Sequence, residues 1–251
     1  MMTMEYNRYA DIKRLKFITD KLKQKLSPAS QVLDVGCGNG IISRGIGAEG
    51  FNVYGIDISE KAIEKARSLT TNPAVRFDVI SAEQLVAEGK KYDAVICSEV
   101  LEHLDHPEKL LSVLHQSIKN DGILIVTVPN GMGPREVLVT KPVIALQKKN
   151  GWGWKLMIKV KKLLGYSGTT IQSDADDLTH VQFFTRKSLD KLAAQNNFKI
   201  TAFGKTNFID DVFPFSFITK RAKFLQKWDG ALAEKLPARM TGSFVSVWEK
   251  V

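Results

Sequence analysis

The sequence predicts a doubly wound α/β domain built on a mostly parallel seven-stranded sheet, and two stretches near the N-terminus carry that prediction. A short apolar run, Val32–Val35, ends in three glycines at alternate positions, Gly36, Gly38 and Gly40, before an amphipathic segment. This order is typical of a buried strand, a tight turn and a helix N-terminus, where free N–H groups can face a ligand. A second apolar run ends at Asp57, where an acid can bind both hydroxyls of a ribose. The pair therefore indicates a nucleoside-binding domain.

The rest of the chain continues this alternation of strands and helices. Helices are predicted over 5–25, after an N-cap at Ser59, from Pro107 to about 119, after an N-cap at Thr185, and over 218–236, with Ala222, Leu225 and Leu232 on one side. Residues 120–122, Asn-Asp-Gly, are typical of a turn. The predicted strands are 32–35, 53–56, 75–80, 92–97, 123–128, 198–203 and 242–248.

The glycine spacing bears on which nucleoside binds. Dinucleotide folds have a third glycine where this chain has Ile41, and here the third glycine comes one residue early. Asp34 lies within the first strand, where a carboxylate would repel a pyrophosphate but attract the ammonium of a methionine moiety. These features favour S-adenosylmethionine over a nicotinamide cofactor, and they disfavour a nicotinamide oxidoreductase.

On the stretch 32–40 and on Asp57, the chain resembles the class I S-adenosylmethionine-dependent methyltransferases. The resemblance implies a Rossmann-like methyltransferase fold over a single domain, 1–251, with a reversed last hairpin and a helical insertion after the fifth strand. Where the family usually has an adenine-binding acid, this chain has Ser81, so the hydroxyl of Ser81 or the N–H of Ala82 would take that contact. The residues expected at the cofactor are Asp34, Gly36, Gly38, Gly40, Asp57, Ile58, Ser81, Ala82 and Ser98.

The candidate catalytic residue is His103, in the string that follows the fourth strand. Ligands in open α/β sheets bind at the carboxyl ends of strands, so this histidine is expected at the site, where it could accept a proton from the nucleophile. A structural role at a helix start is the alternative. His180 precedes an apolar segment, and it could reach the same site from the insertion.

Glu99, Glu102 and His103 have a spacing that resembles the quinone-ring O-methyltransferases of ubiquinone biosynthesis, in which these positions bind a divalent metal. The resemblance implies a magnesium ion that acidifies a catechol hydroxyl. The same string also occurs in methyltransferases without a metal, in which case S-adenosylmethionine alone serves the reaction.

The insertion, 131–180, is expected to form a basic helical lid. Residues 137–172 contain seven lysines and no acid, interleaved with tryptophan, leucine and isoleucine. Such a segment matches a helix that lies on an anionic membrane, so peripheral membrane contact is expected through 141–165. A lid that packs only on its own domain is the alternative.

The chain has a net charge of +9, which suits an anionic partner but also simple solubility. A nucleic-acid methyltransferase is disfavoured. Base N-methylating enzymes often have Asn or Asp followed by Pro-Pro and an aromatic residue after the fourth strand, to bind the planar amine, and Cys97–Val100 lacks this motif. The sequence therefore predicts a cytoplasmic enzyme that methylates a small-molecule acceptor, on oxygen, with a lipid or a saccharide attached. A non-catalytic S-adenosylmethionine-binding module is the remaining alternative, and the oligomeric state is left open. Two cysteines, no signal peptide and no apolar run of membrane length fit this expectation.

Overall fold

The computed structural model describes residues 6, 8–87, 89–142, 180–212 and 215–251. They form a seven-stranded sheet in the order β3-β2-β1-β4-β5-β7-β6, and β7 alone runs antiparallel to its two neighbours. The sheet and its reversed last hairpin confirm the predicted fold class. The strands are β1 (Gln31–Val35), β2 (Asn52–Asp57), β3 (Val75–Val79), β4 (Tyr92–Ser98), β5 (Ile118–Pro129), β6 (Phe198–Lys205) and β7 (Ser243–Lys250).

Helices cover both faces of the sheet because successive residues of the central strands are apolar on both sides. In β1, Val32 packs towards α1, α2 and α3, and its neighbour Leu33 packs towards α4, α5 and α6. This two-sided burial is what a parallel sheet requires. The described helices are α1 (Tyr9–Lys25), α2 (Ile41–Gly47), α3 (Glu60–Ser68), α4 (Ala82–Ala87), α5 (Pro107–Ser117), α6 (Arg186–Gln195), α7 (Phe215–Arg221) and α8 (Lys223–Lys235).

Two helix starts confirm the predicted caps. The Ser59 hydroxyl accepts a hydrogen bond from the N–H of Ala62 at the start of α3. Thr185 and Ser188 form a reciprocal capping box at the start of α6. Both caps depend on residues that are close in sequence, which explains why they could be predicted.

The predicted turn at 120–122 is wrong, because these residues lie within β5. The register of β4 and β5 shifts between the pairs Tyr92–Ile118 and Ala94–Ile123, so the extra residues form an irregular bulge. Lys119 Nζ lies 2.7 Å from Asp93 Oδ1 and ties the bulge to β4. The chain therefore passes from α5 into the central part of β5 through this bulge, without a separate turn.

The predicted helix over 218–236 is divided into α7 and α8 at Ala222. The buried face of α8 consists of Gln226, Asp229, Gly230 and Ala233, whereas Leu232 is exposed. Asp229 accepts hydrogen bonds from the backbone N–H groups of Phe208 and Ile209, so its burial is compensated. The large apolar side chains of this helix, Phe224, Trp228 and Leu232, face outward instead.

The inserted segment begins and ends within the described residues, but most of the predicted lid, including 143–179, lies outside them. None of the helices that the structure describes is long and apolar enough to cross a bilayer. Both cysteines, Cys37 and Cys97, are buried and are not joined in a disulfide.

Candidate active site

The glycine-rich turn between β1 and α2 forms the floor of the site. Gly36 and Gly40 both have φ in the left-handed region, at 68° and 75°. A Cβ at Gly36 would collide with the Val100 side chain, and a Cβ at Gly40 would collide with the ring of Phe77. Glycine is therefore required here by conformation and by packing. The contact with Val100 also places the residues after β4 directly beside the turn.

Asp57, at the end of β2, is held over this turn by two backbone groups. Its Oδ2 accepts a hydrogen bond of 2.9 Å from the N–H of Gly38, and its Oδ1 accepts one of 2.9 Å from the N–H of Ser59. Each carboxylate oxygen has a further lone pair, so the group keeps the capacity to accept from a pair of hydroxyls.

Asp34 lies beneath the turn and is almost fully buried. Its Oδ2 accepts a hydrogen bond of 2.5 Å from Ser43 Oγ, on α2. Burial raises the pKa of Asp34 to about 7, with a smaller increase from the charge of Asp57, while the bond from Ser43 opposes the shift. A cation arriving above the turn would favour the ionised form of this group.

The other residues expected at the cofactor lie along the same edge of the sheet. Ile58 is 79% exposed, which leaves an apolar side chain uncovered at the end of β2. Ser81 caps the helix that begins at Ala82: its Oγ accepts from the N–H of Gln84. Ser98 is buried, and its hydroxyl lies 2.8 Å from Thr127 Oγ1. Ser81 and Ser98 thus have structural partners of their own.

A buried ion-pair network connects α1 to the residues that follow β4. Arg14 is 3% exposed, and its Nη2 lies 3.4 Å from Glu99 Oε1. Glu99 also accepts a hydrogen bond of 2.9 Å from Thr127 Oγ1. The sequence predicts a helix over 5–25, but sequence reasoning did not identify Arg14 as a residue of the site. The available signal was a charged residue one helical turn before the buried Ile18.

Tyr6 precedes α1 and is buried at the same network. Burial raises the pKa of its hydroxyl, against the influence of Arg14, so the group stays protonated. Among the described residues this hydroxyl has no hydrogen-bond partner. A buried donor of this kind usually has a partner, such as a ligand atom or a water.

The structure brings together Glu102, His103 and His180, whereas the sequence predicts a metal set of Glu99, Glu102 and His103. One ligand atom from each of these three residues lies within 4.8 Å of the others. Glu99 does not join them, because its carboxylate is engaged by Arg14 and Thr127. The donors present therefore fit a divalent cation only with His180 in place of Glu99. Two imidazoles would favour a transition metal over magnesium.

His103 and His180 face each other at the carboxyl end of the sheet. Their ring centroids are 5.2 Å apart, and both side chains are about one fifth exposed (18% and 20%). Val181 and Gln182 donate backbone hydrogen bonds to the carbonyl of Glu102, at 2.8 and 3.0 Å. These two bonds hold His180 beside His103 after the insertion.

Buried carboxyl groups flank the two imidazoles, and their pKa values are shifted in opposite directions. Burial raises the pKa of Glu102 well above its usual value, and the charge of Glu99 adds to this. Glu136 is also buried, but its Oε1 lies 3.5 Å from His180 Nδ1. Burial alone would raise the pKa of Glu136, but His180, together with Arg135 and Thr140, outweighs this and lowers it. Glu136 is therefore the ionised partner of His180.

The fold and the site agree with the comparison against protein families. A family profile described as a methyltransferase domain matches residues 6–202, so the chain belongs to this family. It is a class I S-adenosylmethionine-dependent methyltransferase.

Curated relatives of the chain include ubiquinone biosynthesis O-methyltransferases. The protein from Rickettsia canadensis is 31% identical over 156 residues, which cover 60% of this chain and 66% of that protein. The protein from Dechloromonas aromatica is 36% identical over 130 residues, covering 50% and 55%. The chain thus spans between about half and two thirds of the length of these relatives.

Solved structures with the same fold share little sequence with the chain. Magnesium protoporphyrin IX methyltransferase from Synechocystis, with bound S-adenosylhomocysteine, aligns with a TM-score of 0.56 at 20% identity, covering 96% of this chain and 84% of that one. A 1,6-didemethyltoxoflavin N1-methyltransferase from Burkholderia thailandensis aligns with a TM-score of 0.57 at 16% identity, covering 97% and 84%.

Proposed function

We propose that the chain transfers the methyl group of S-adenosylmethionine to a hydroxyl oxygen of a small-molecule acceptor. The observation that supports this most directly is the His103–His180 pair beside the glycine-rich turn. An oxygen nucleophile must lose a proton, and imidazole is the side chain best suited to accept one near neutral pH. The names of the relatives from Rickettsia canadensis and Dechloromonas aromatica point to the same reaction type.

The cofactor would lie across the carboxyl ends of β1, β2 and β4. Asp57 would accept hydrogen bonds from the ribose hydroxyls, and Ile58 with the N–H of Ala82 would face the adenine. The backbone of the glycine-rich turn would approach the methionine part, above Asp34. The hydroxyl of Tyr6 faces the same region and would be a further donor.

In the reaction the acceptor oxygen attacks the methyl carbon, the sulfur–carbon bond breaks, and S-adenosylhomocysteine leaves. The proton of the hydroxyl passes to the imidazole pair. Glu136 would stabilise the imidazolium formed on His180, since it is ionised and faces Nδ1. Methyl transfer from a sulfonium otherwise depends mainly on holding nucleophile and methyl in line.

We further propose that the acceptor carries a lipid or a saccharide, because the inserted segment begins and ends at this site. A divalent cation held by Glu102, His103 and His180 would serve the same step by acidifying the hydroxyl.

The test is incubation of the full chain with isotopically labelled S-adenosylmethionine and a panel of catechols, phenols, saccharides and primary amines. We expect label in an O-methyl group of one hydroxyl class, located by nuclear magnetic resonance, and strongly reduced transfer by the His103→Ala and His180→Ala variants. Label in an N-methyl group, or full activity of both variants, would contradict the proposal.

A further inference from the structure

The outward side of α7 and α8 carries large apolar side chains that nothing in the described structure covers. Trp228 is 77% exposed and Phe224 is 65% exposed. Scattered exposed apolar residues are ordinary, but a contiguous group marks an interaction surface. We define the α8 surface as Phe215, Ile218, Phe224, Trp228 and Leu232, all of them more than two fifths exposed.

The spacing makes this surface a continuous stripe on α8. Phe224, Trp228 and Leu232 are four residues apart, so they lie above one another along the helix. The opposite side of α8 is polar and fully engaged with the protein. Gln226 Oε1, for example, accepts a hydrogen bond of 2.9 Å from the N–H of Tyr9. The helix is therefore fixed in this orientation by its polar contacts, and the apolar stripe faces outward as a result.

Positive charge accompanies the stripe. Lys223, Lys227 and Lys235 are all exposed on α8. Of the two acids in this helix, Asp229 is buried, and Glu234 lies 2.6 Å from Lys13 Nζ, on α1. An exposed combination of tryptophan, phenylalanine and lysine is typical of helices that lie in the headgroup region of an anionic bilayer.

The surface borders the catalytic edge of the sheet. After α8 the chain makes a short turn, Ala238–Met240, whose first carbonyl accepts a hydrogen bond of 3.0 Å from Asn130 Nδ2. Asn130 directly follows β5, at the carboxyl end where the site lies. A bilayer against α8 would thus lie next to the region from which an acceptor approaches.

We propose that the α8 surface binds the surface of an anionic lipid bilayer. The apolar stripe enters the headgroup region, and Lys223 and Lys227 face the anionic phosphates. This contact lies outside the lysine-rich insertion, and it requires neither cofactor nor acceptor. Its failure would leave the proposed methyl transfer untouched.

The test is sedimentation of the full chain with vesicles of phosphatidylcholine alone or of an equimolar mixture with phosphatidylglycerol. We expect binding only to the mixture, weakened by salt because the attraction is electrostatic. The double variant Lys223→Glu, Lys227→Glu should partition at least about thirtyfold more weakly, given the contribution of each lysine near an anionic surface. Trp228→Ala should weaken binding without changing its salt dependence.

The matched control is the double variant Lys187→Glu, Lys191→Glu. These exposed lysines have the same spacing on α6, which packs on the other face of the sheet. We expect this control to bind like the unaltered chain, and circular dichroism should show both double variants folded.

Three outcomes would overturn the proposal. The unaltered chain could stay in the supernatant with the anionic vesicles at low salt. The Lys223→Glu, Lys227→Glu variant could bind as well as the unaltered chain, while Lys155→Glu, Lys159→Glu, Lys162→Glu in the insertion abolishes binding. Sedimentation velocity without vesicles could show a dimer that Trp228→Glu dissociates, in which case the surface is an interface between two copies.

Discussion

The Oε1 atom of Glu136 lies 3.5 Å from Nδ1 of His180, although most of the inserted segment separates the two residues in sequence. Glu136 is buried in the short helical turn Glu136–Thr140, near the start of the insertion, and His180 is the last residue of the insertion. The pair therefore forms only when the chain has returned to the catalytic edge. A buried ionised carboxylate behind an imidazole fixes the ring and favours its protonated form.

We expect Glu136→Gln to lower kcat by about a hundredfold, the lower end of the range attributed to general acid–base catalysis. The amide keeps the shape of the side chain but cannot stabilise the imidazolium. Steady-state kinetics of the two proteins measure the effect. An unchanged kcat would contradict this role of Glu136.

Asp34 should make the fold less stable as pH rises. Its pKa is about 7 in the folded chain and 3.8 ordinarily, so the unfolded chain binds fewer protons between these values. The free energy of unfolding should therefore fall from about pH 4 to about pH 7. Asp34→Asn should remove this loss and stabilise the free chain well above pH 7 by about 4 kcal/mol.

Urea unfolding of the unaltered chain and the Asp34→Asn variant at the two ends of this range measures the difference, since contributions of other groups cancel. Equal free energies of unfolding for the two proteins above pH 7 would show that ionisation of Asp34 does not destabilise the fold, and would contradict the prediction. The same variant should bind S-adenosylmethionine more weakly, because it lacks the charge that attracts the ammonium.

Asp57→Ala should weaken S-adenosylmethionine binding by about 2 kcal/mol, the cost of a lost hydrogen bond to a charged group. The variant also releases the N–H of Gly38, so the turn loses one of its anchors. Calorimetric titration measures the affinity, with Asp78→Ala as a control on the neighbouring strand β3. An unchanged affinity, or preferential binding of a nicotinamide dinucleotide, would contradict the assignment of Asp57.

A chelator separates the two ways in which the histidines could act. We expect full activity in excess chelator, because the imidazole pair can accept the proton without a metal. Loss of activity that a divalent ion restores would instead assign Glu102, His103 and His180 to a cation. In that case Glu99→Gln should retain metal binding and Glu102→Gln should lose it, as measured by isothermal titration.

The sequence predicted the parts of the site that are local. The glycine-rich turn and Asp57 follow from two adjacent strand–helix units, in which the spacing of residues fixes their positions. His180 was expected to be able to reach the site of His103, but their direct pairing depends on where the chain returns at the end of the insertion, which residue spacing does not determine. The role of Arg14 was not predicted for a different reason. Helical periodicity places charged residues on the solvent side, whereas Arg14 is buried against Glu99.

The same assumption failed in α8, where the polar residues face inward. Gln226 and Asp229 are buried because backbone N–H groups elsewhere in the chain require acceptors. Once such hydrogen bonds are available, they outweigh the tendency of apolar residues to be buried. The orientation of the helix thus follows from long-range partners that periodicity cannot reveal.

Both borders of the inserted segment are attached to the catalytic edge independently of what lies between them. Lys141 Nζ donates to the carbonyl of Gly131, and Val181 with Gln182 donates to the carbonyl of Glu102. Length and composition can therefore change between these borders while His103, Glu136 and His180 keep their places. We therefore expect that replacing 143–179 by the corresponding residues of a relative would change the accepted substrates without displacing these three side chains.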